Sequence, residues 1–214
     1  MPHYLDINTI AFTVINYPMS YIEFFGVLFN LACVILVARK KVITWPIGIV
    51  GSVMFIVLFW QIALYSDAIL NGYFVITGFM GWWMWSKKPD PLKIDTKPEY
   101  KYSDGGHLIL GVLVTAIASV LWGSFMKHAN GFLPNIFTAP AGYPMWDGAI
   151  LMASFMAQWL MMKKRTECWV YWIVIDVASI TLFWVKDIRF TSILYMGFLG
   201  LATYGLTRWH KNSK

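Results

Sequence analysis

An aspartate lies near the middle of an otherwise apolar run, CWVYWIVIDVASITLFWV, at 168–185. A carboxylate at the centre of a bilayer costs about 2.5–3.5 kcal/mol on insertion scales. Asp176 must therefore be protonated, hydrogen-bonded inside a bundle or matched to a ligand. On a helix, Trp169, Trp172, Asp176, Ser179 and Phe183 share one face. That face can accept a ligand hydroxyl and stack a flat ring, or it can tie Asp176 to a neighbouring helix. A second apolar run carries Asn71, Phe74, Gly78, Gly81 and Trp85 on one face, and a third carries Tyr195, Phe198, Ala202, Gly205 and Trp209. The small residues read as a groove for close helix approach, whereas Asn71 and Tyr195 offer polar atoms to a pathway. Gln158 shares a face with Asp147 and Ser154 and places an amide inside an apolar segment.

These groups bind and orient; they do not form a nucleophile with its base. HExxH, GxSxG, GxGxxG and P-loop patterns are all missing from the sequence. His3, His107, His128 and His210 fall near span ends or in tails, so no metal, cofactor or catalytic residue is expected. Cys33 and Cys168 sit in or beside apolar runs and read as packing residues.

The elements that must position these side chains follow from composition. The 214 residues are 58% hydrophobic and 13% charged, against about 25% charged in soluble domains. Apolar runs of about 17–22 residues match a hydrocarbon core of about 30 Å. The expected fold is an all-α membrane protein with seven spans at 20–38, 43–64, 67–85, 106–126, 146–162, 168–185 and 191–209. Residues 1–19 are expected to lie at the interface, and no removable signal peptide is read there. The first bundle is 20–85, and 86–127 holds a soluble, mobile linker and a linker helix. Residues 128–209 hold a loop and the second bundle, and 210–214 form a tail. The short turn inside the first bundle is expected at Ser66–Asp67.

The formal charge of +6 belongs to short loops, so nucleic acid is not an expected partner. Fourteen Lys and Arg residues fall on one side of a seven-span layout and three, Lys127, Lys186 and Arg189, on the other. The positive-inside rule puts the N-terminus outside and the C-terminus in the cytoplasm.

The chain also repeats itself. Adding 124 carries Trp45 to Trp169, Phe59 to Phe183, Trp60 to Trp184, Phe74 to Phe198, Gly81 to Gly205 and Trp85 to Trp209. Lys40–Lys41 falls on Lys164–Arg165 and Glu23 on Asp147. A constant offset across so many pairs marks a duplicated unit. Three spans, a linker span and three more spans (3+1+3) keep the two copies parallel, a layout similar to that of the SWEET sugar-efflux transporters. Ser52 stands where the second copy has Asp176, an asymmetry that an asymmetric ligand requires.

The chain carries Trp45-Pro46, Leu64-Tyr65 before Asp67, Gly81-Trp82-Trp83-x-Trp85, Trp146-Asp147, Ala157-Gln158-Trp159, Glu167-x-Trp169-x-x-Trp172-Ile173-x-x-Asp176-Val177 and Thr191-Ser192-x-Leu194-Tyr195. Together these motifs resemble the PnuC family of bacterial vitamin transporters. The resemblance spans the chain from the first helix to the last. It implies nicotinamide riboside uptake across the bacterial inner membrane by facilitated diffusion, with trapping by a cytosolic kinase and a homotrimeric assembly. The candidate substrate contacts on the faces described above are Asn71, Phe74, Gly78, Gln158, Trp172, Asp176, Ser179 and Tyr195. The sequence departs from the pattern expected of riboside carriers at two places, Asn71 for a glutamine and Gly78 for an asparagine. A related branch carries thiamine, which is the alternative substrate. An intramembrane enzyme acting on a lipid is the alternative of a different class.

Overall fold

Seven apolar segments become seven helices among the described residues, which are 3–14, 17–62, 64–87, 100–134, 142–185 and 189–211 of this computed structural model. The helices are α1 Tyr21–Ala38, α2 Thr44–Gln61, α3 Tyr65–Ser86, α4 Gly105–Phe132, α5 Pro144–Met162, α6 Cys168–Val185 and α7 Arg189–His210. Four of them, α1, α2, α4 and α6, are long and apolar enough to cross a membrane by length and composition alone. The other three include the helices that carry Asn71, Gln158 and Tyr195.

Local chemistry sets the ends. Ser20 accepts from the Glu23 N–H at 3.3 Å and caps α1. Pro144 opens α5, where its missing N–H costs nothing. Helices α1 and α5 end identically. Lys40 and Lys164 take φ of 60° and 56°. Lys41 N–H then bonds Leu36 C=O and Arg165 N–H bonds Leu160 C=O, each at 2.9 Å. This is the Schellman closure, made here with lysine in the left-handed position that usually goes to glycine. The next turns also match: Thr44 N–H meets Lys41 C=O at 3.1 Å, and Cys168 N–H meets Arg165 C=O at 3.2 Å. The offset seen in the sequence is therefore reproduced bond for bond in these loops.

Four expectations are corrected. The chain is not wholly helical, because Ile10–Val14 (β1) and Tyr17–Ser20 (β2) pair antiparallel. The β-branched and aromatic residues of that stretch favour a hairpin, and Pro18 is tolerated in an edge strand. This N-terminal segment is held down: Gln61 Nε2 donates to Leu5 C=O at 2.8 Å, and Ile7 N–H donates to Gln61 Oε1 at 3.1 Å. Ser66 and Asp67 do not form the turn; they lie in the first turn of α3, where a carboxylate complements the helix dipole. Helix α4 runs on past 126 to Phe132, since no breaker interrupts MKHANGF except Gly131. In the linker, 88–99 with Pro89, Pro91 and Pro98 lies outside the described residues, but from Tyr100 the chain is docked. Thr166 N–H donates to Lys101 C=O at 3.1 Å, and Ser103 N–H donates to Glu167 Oε1 at 3.0 Å.

The helices close into a ring. Helix α1 packs on α2, α2 on α3, α3 on α5, α5 on α6, α6 on α7, and α7 back on α1. Helix α4 packs outside the ring, on α5. That contact is close because Gly123 and Gly148 face each other; a Cβ on Gly148 would meet Gly123 N and Ser119 O at 3.0 Å.

The end of the ring that bears Lys40 and Lys164 holds the core: Trp45, Trp85, Tyr100, Trp169 and Trp209 are all buried together. Each repeat's last tryptophan reaches into the other. Trp85 Nε1 donates to Met162 C=O at 3.0 Å, and Trp209 Nε1 donates to Val37 C=O at 3.3 Å. Tyr100 packs edge-on against Trp209 with centroids 4.5 Å apart, and Lys40 Nζ lies 4.0 Å from the centre of its ring. The two glycines of the repeat exist for this core. A Cβ on Gly81 would sit 2.5 Å from the Trp45 ring, and one on Gly205 would sit 2.6 Å from the Trp169 ring. Gly81→Ala and Gly205→Ala are each expected to destabilise the protein by about 1–3 kcal/mol. Thermal unfolding in detergent reads this, and an unchanged midpoint would mean that the indoles can swing clear.

Candidate binding site

The ring encloses a cavity of about 210 Å³ lined by residues from all six of its helices and none from α4. Seven of the eight residues singled out in the sequence line it: Asn71, Phe74, Gly78, Gln158, Trp172, Asp176 and Tyr195. Ser179 does not; it is fully buried beside Tyr195, and the tyrosine is the group that reaches the cavity. Tyr195 is held there by stacking on Phe183, with centroids 5.5 Å apart and planes 18° apart. Trp172 meets Phe74 edge to face at 6.1 Å, which joins the two repeats across the cavity. Asn71 donates to the Asp67 carbonyl of its own helix at 2.9 Å, which fixes the amide against the wall. Gly78 serves packing as well as space, because a Cβ there would sit 2.7 Å from Ile49 Cγ1.

The lining obeys the same offset of 124. Nine pairs of lining positions are related by it, among them Asn30 with Ser154, Val34 with Gln158, Gly48 with Trp172, Ser52 with Asp176 and Asn71 with Tyr195. Trp45 with Trp169 and Phe74 with Phe198 are chemically identical pairs. These lining positions thus follow the sequence offset, while the chemistry at them differs. Gln158, Trp172 and Asp176 come from the second repeat, where the first has Val34, Gly48 and Ser52.

Electrostatically the cavity is one-sided. Asp67 and Asp176 line it, and among the described residues no Lys, Arg or His does. Three indole N–H groups of the lining, on Trp45, Trp169 and Trp172, are buried without a hydrogen-bond partner among the described residues. Such donors carry a desolvation cost that a ligand acceptor would offset. No group of three or more His, Cys, Asp or Glu side chains able to hold a metal occurs among the described residues.

Asn30 and Asp67 went unrecognised in the sequence as site residues. Asp67 was obscured by its apparent place in a turn. Asn30 could have been found by asking which polar residues coincide at the offset, since it falls on Ser154.

The profile of the nicotinamide mononucleotide transporter family matches residues 20–211. The chain belongs to this family. It is a transporter family, not an enzyme family. The chain is 24% identical to the nicotinamide riboside transporter PnuC of Escherichia coli K12, over 93% of this chain and 89% of that protein. It is 24% identical to PnuC of Neisseria mucosa, over 97% and 78%. It is also 19% identical to the riboflavin/roseoflavin transporter RibM of Streptomyces davaonensis, over 97% and 93%. The fold matches a crystal structure of the vitamin B3 transporter PnuC with a TM-score of 0.71 and 20% identity, covering 90% of this chain and 82% of that one. The motifs that resembled PnuC in the sequence therefore belong to a PnuC-type transporter, and its helical ring is the fold of that transporter. A relative named for riboflavin and roseoflavin is also similar to this chain, so the lining must decide the ligand.

Proposed function

We propose that this transporter takes up nicotinamide riboside by facilitated diffusion, with a cytosolic kinase trapping the product. The observation that carries the reading is the cavity with two carboxyl groups, aromatic walls and no basic side chain among the described residues. Nicotinamide riboside is a flat pyridinium cation bearing a hydroxyl-rich ribose. The pyridinium suits an aromatic face and a nearby carboxylate, and the indole donors suit ribose oxygens. Gln158 is the amide available to the carboxamide. The mononucleotide adds a phosphate that would enter beside the like charges of Asp67 and Asp176. Riboflavin brings no charge for the carboxylates.

Thiamine is the second reading, favoured by Asn71 and Gly78 standing where riboside carriers are expected to have larger amides. It is also an aromatic cation. Binding titrations of the purified protein with nicotinamide riboside, its mononucleotide, thiamine and riboflavin test the assignment, followed by counterflow in liposomes without ATP. Tight riboside binding with riboside counterflow is expected. Thiamine binding alone would move the assignment to the second reading, and mononucleotide binding equal to riboside binding would overturn the charge argument.

We further infer seven spans in two parallel three-helix repeats, with α4 as the linker span, and a homotrimer in the bacterial inner membrane. The matched loops at Lys40 and Lys164 support the repeat. In this arrangement the basic end is cytoplasmic, the N-terminus is outside, and Trp85, Tyr100 and Trp209 close the cavity on the cytoplasmic side. Cysteines introduced near Lys97 and near Asn135, both outside the described residues, are expected to label from opposite sides of intact cells. Equal accessibility would sink the topology. Light scattering coupled to chromatography tests the trimer.

A further inference from the structure

We propose that the groove between α4 and α5 at the basic end binds an anionic phospholipid, with its phosphate among Lys101, Lys163 and Arg165 and an acyl chain along Leu110 and Val114. The inference rests on the membrane setting and not on which vitamin is carried. The groove encloses about 650 Å³, and its lining changes character along its length. The mouth carries three cationic side chains. The carboxylate that lines it is Asp104, which is already engaged by the His107 ring at 2.5 Å and held below the usual carboxylate range by that hydrogen bond. Arg165 is fixed at the mouth because its Nη1 donates to Tyr102 C=O at 3.1 Å. The backbone of Lys101 is fixed there too, by the bond from Thr166 N–H to Lys101 C=O.

Beyond the mouth the lining is apolar. Leu110, Val114 and Trp159 are 58%, 49% and 41% exposed. Val114 lies nine residues into α4 from Gly105, about 13 Å along the axis at 1.5 Å per residue. A free phosphate would use the mouth and leave the rest of the groove without a role. A neutral lipid would use the groove and leave three cations at its rim. An anionic phospholipid matches both halves at once, as expected of basic pockets between membrane helices. Gly111 lines the groove, and a Cβ there would already touch Met156 and Tyr171 at 3.7–3.8 Å, so a larger side chain must occupy groove space.

Native mass spectrometry of the full-length protein in neutral detergent tests this, using phosphatidylglycerol, phosphatidylcholine with the same chains, and inorganic phosphate. Phosphatidylglycerol is expected to be retained about tenfold over phosphatidylcholine. The Lys101→Gln/Lys163→Gln double variant is expected to lose about twentyfold in phosphatidylglycerol retention, taking each surface charge as roughly four- to fivefold. Gly111→Leu fills the groove without touching the charges and is expected to lower retention as well. Thermal unfolding checks that each variant is folded, and the single lysine variants replace the double one if it is not. Equal retention of the two lipids overturns the proposal, as does full phosphatidylglycerol retention in the charge variants. Displacement by equimolar phosphate, with Gly111→Leu unaffected, would assign the mouth to a free anion instead and overturn the lipid.

Discussion

The Asp67→Asn/Asp176→Asn double variant is expected to bind nicotinamide riboside about 3 kcal/mol more weakly than the natural chain, a factor of roughly 150. Asparagine keeps the size and most of the hydrogen bonding of aspartate, so the change removes charge and little else. Both side chains line the cavity, and among the described residues no basic side chain lines it to share their field. Inside a low-dielectric wall an ion pair with a cationic ligand is worth more than at a surface, and a hydrogen bond to a charged group contributes about 1.5–3 kcal/mol. Asp176→Asn alone should account for about half of the loss, because it is 4% exposed and sits beside Trp172 on the α6 face of the cavity. Thiamine is a cation too, so the double variant should weaken it comparably if it binds. Calorimetric titration of the two single variants and the double decides the point. Unchanged riboside affinity in a folded double variant would remove charge from the recognition of this ligand.

Much of this architecture was legible in the sequence because a membrane enforces simple rules. Backbone polar groups must be satisfied within each segment, so apolar runs become helices. The duplication was legible because tryptophans are rare enough that several coincidences at one offset carry weight. What the residues could not state was the order of helices around the ring, because any face with small and polar residues can meet several partners. That order decided that Asn30 of α1 and Asp67 of α3 share one cavity. The same limit explains Ser179. Helical spacing put it on the Asp176 face, but α7 lies against that part of α6 and Tyr195 takes the cavity position. The hairpin at Ile10–Ser20 was illegible for another reason. An apolar stretch too short to span a membrane carries no strong period, and contacts to α1, such as Phe12 edge-on to Phe24 and Tyr17 donating to Glu23, fix its place. Tyr100 was hidden because its linker is polar overall, whereas its docking depends on one aromatic ring filling the gap between Trp85 and Trp209.

Two tryptophans three residues apart on α6 should separate ligand recognition from folding. Trp169 is 1% exposed, and its ring lies against Gly205 and edge-on to Trp209 at 5.4 Å. Trp169→Ala empties that space and is expected to cost about 3–5 kcal/mol of stability, enough to lose most of the folded protein. Trp172 is only partly buried, lines the cavity, and touches Phe74 of the other repeat through an edge contact. Its position in the first repeat is Gly48, so at this pair of positions the cavity has an indole on one side alone. A pyridinium ring can lie on that face, and aromatic stacking on a base is worth about 1–3 kcal/mol. Trp172→Ala is therefore expected to melt near the natural chain and to bind nicotinamide riboside about five- to 150-fold more weakly. Trp172→Phe keeps a face of smaller area and should recover part of the affinity, which a purely structural role would not predict. If Trp172→Ala instead binds normally, the indole is a packing group, and the ligand's ring must lie on Phe74 or Phe198.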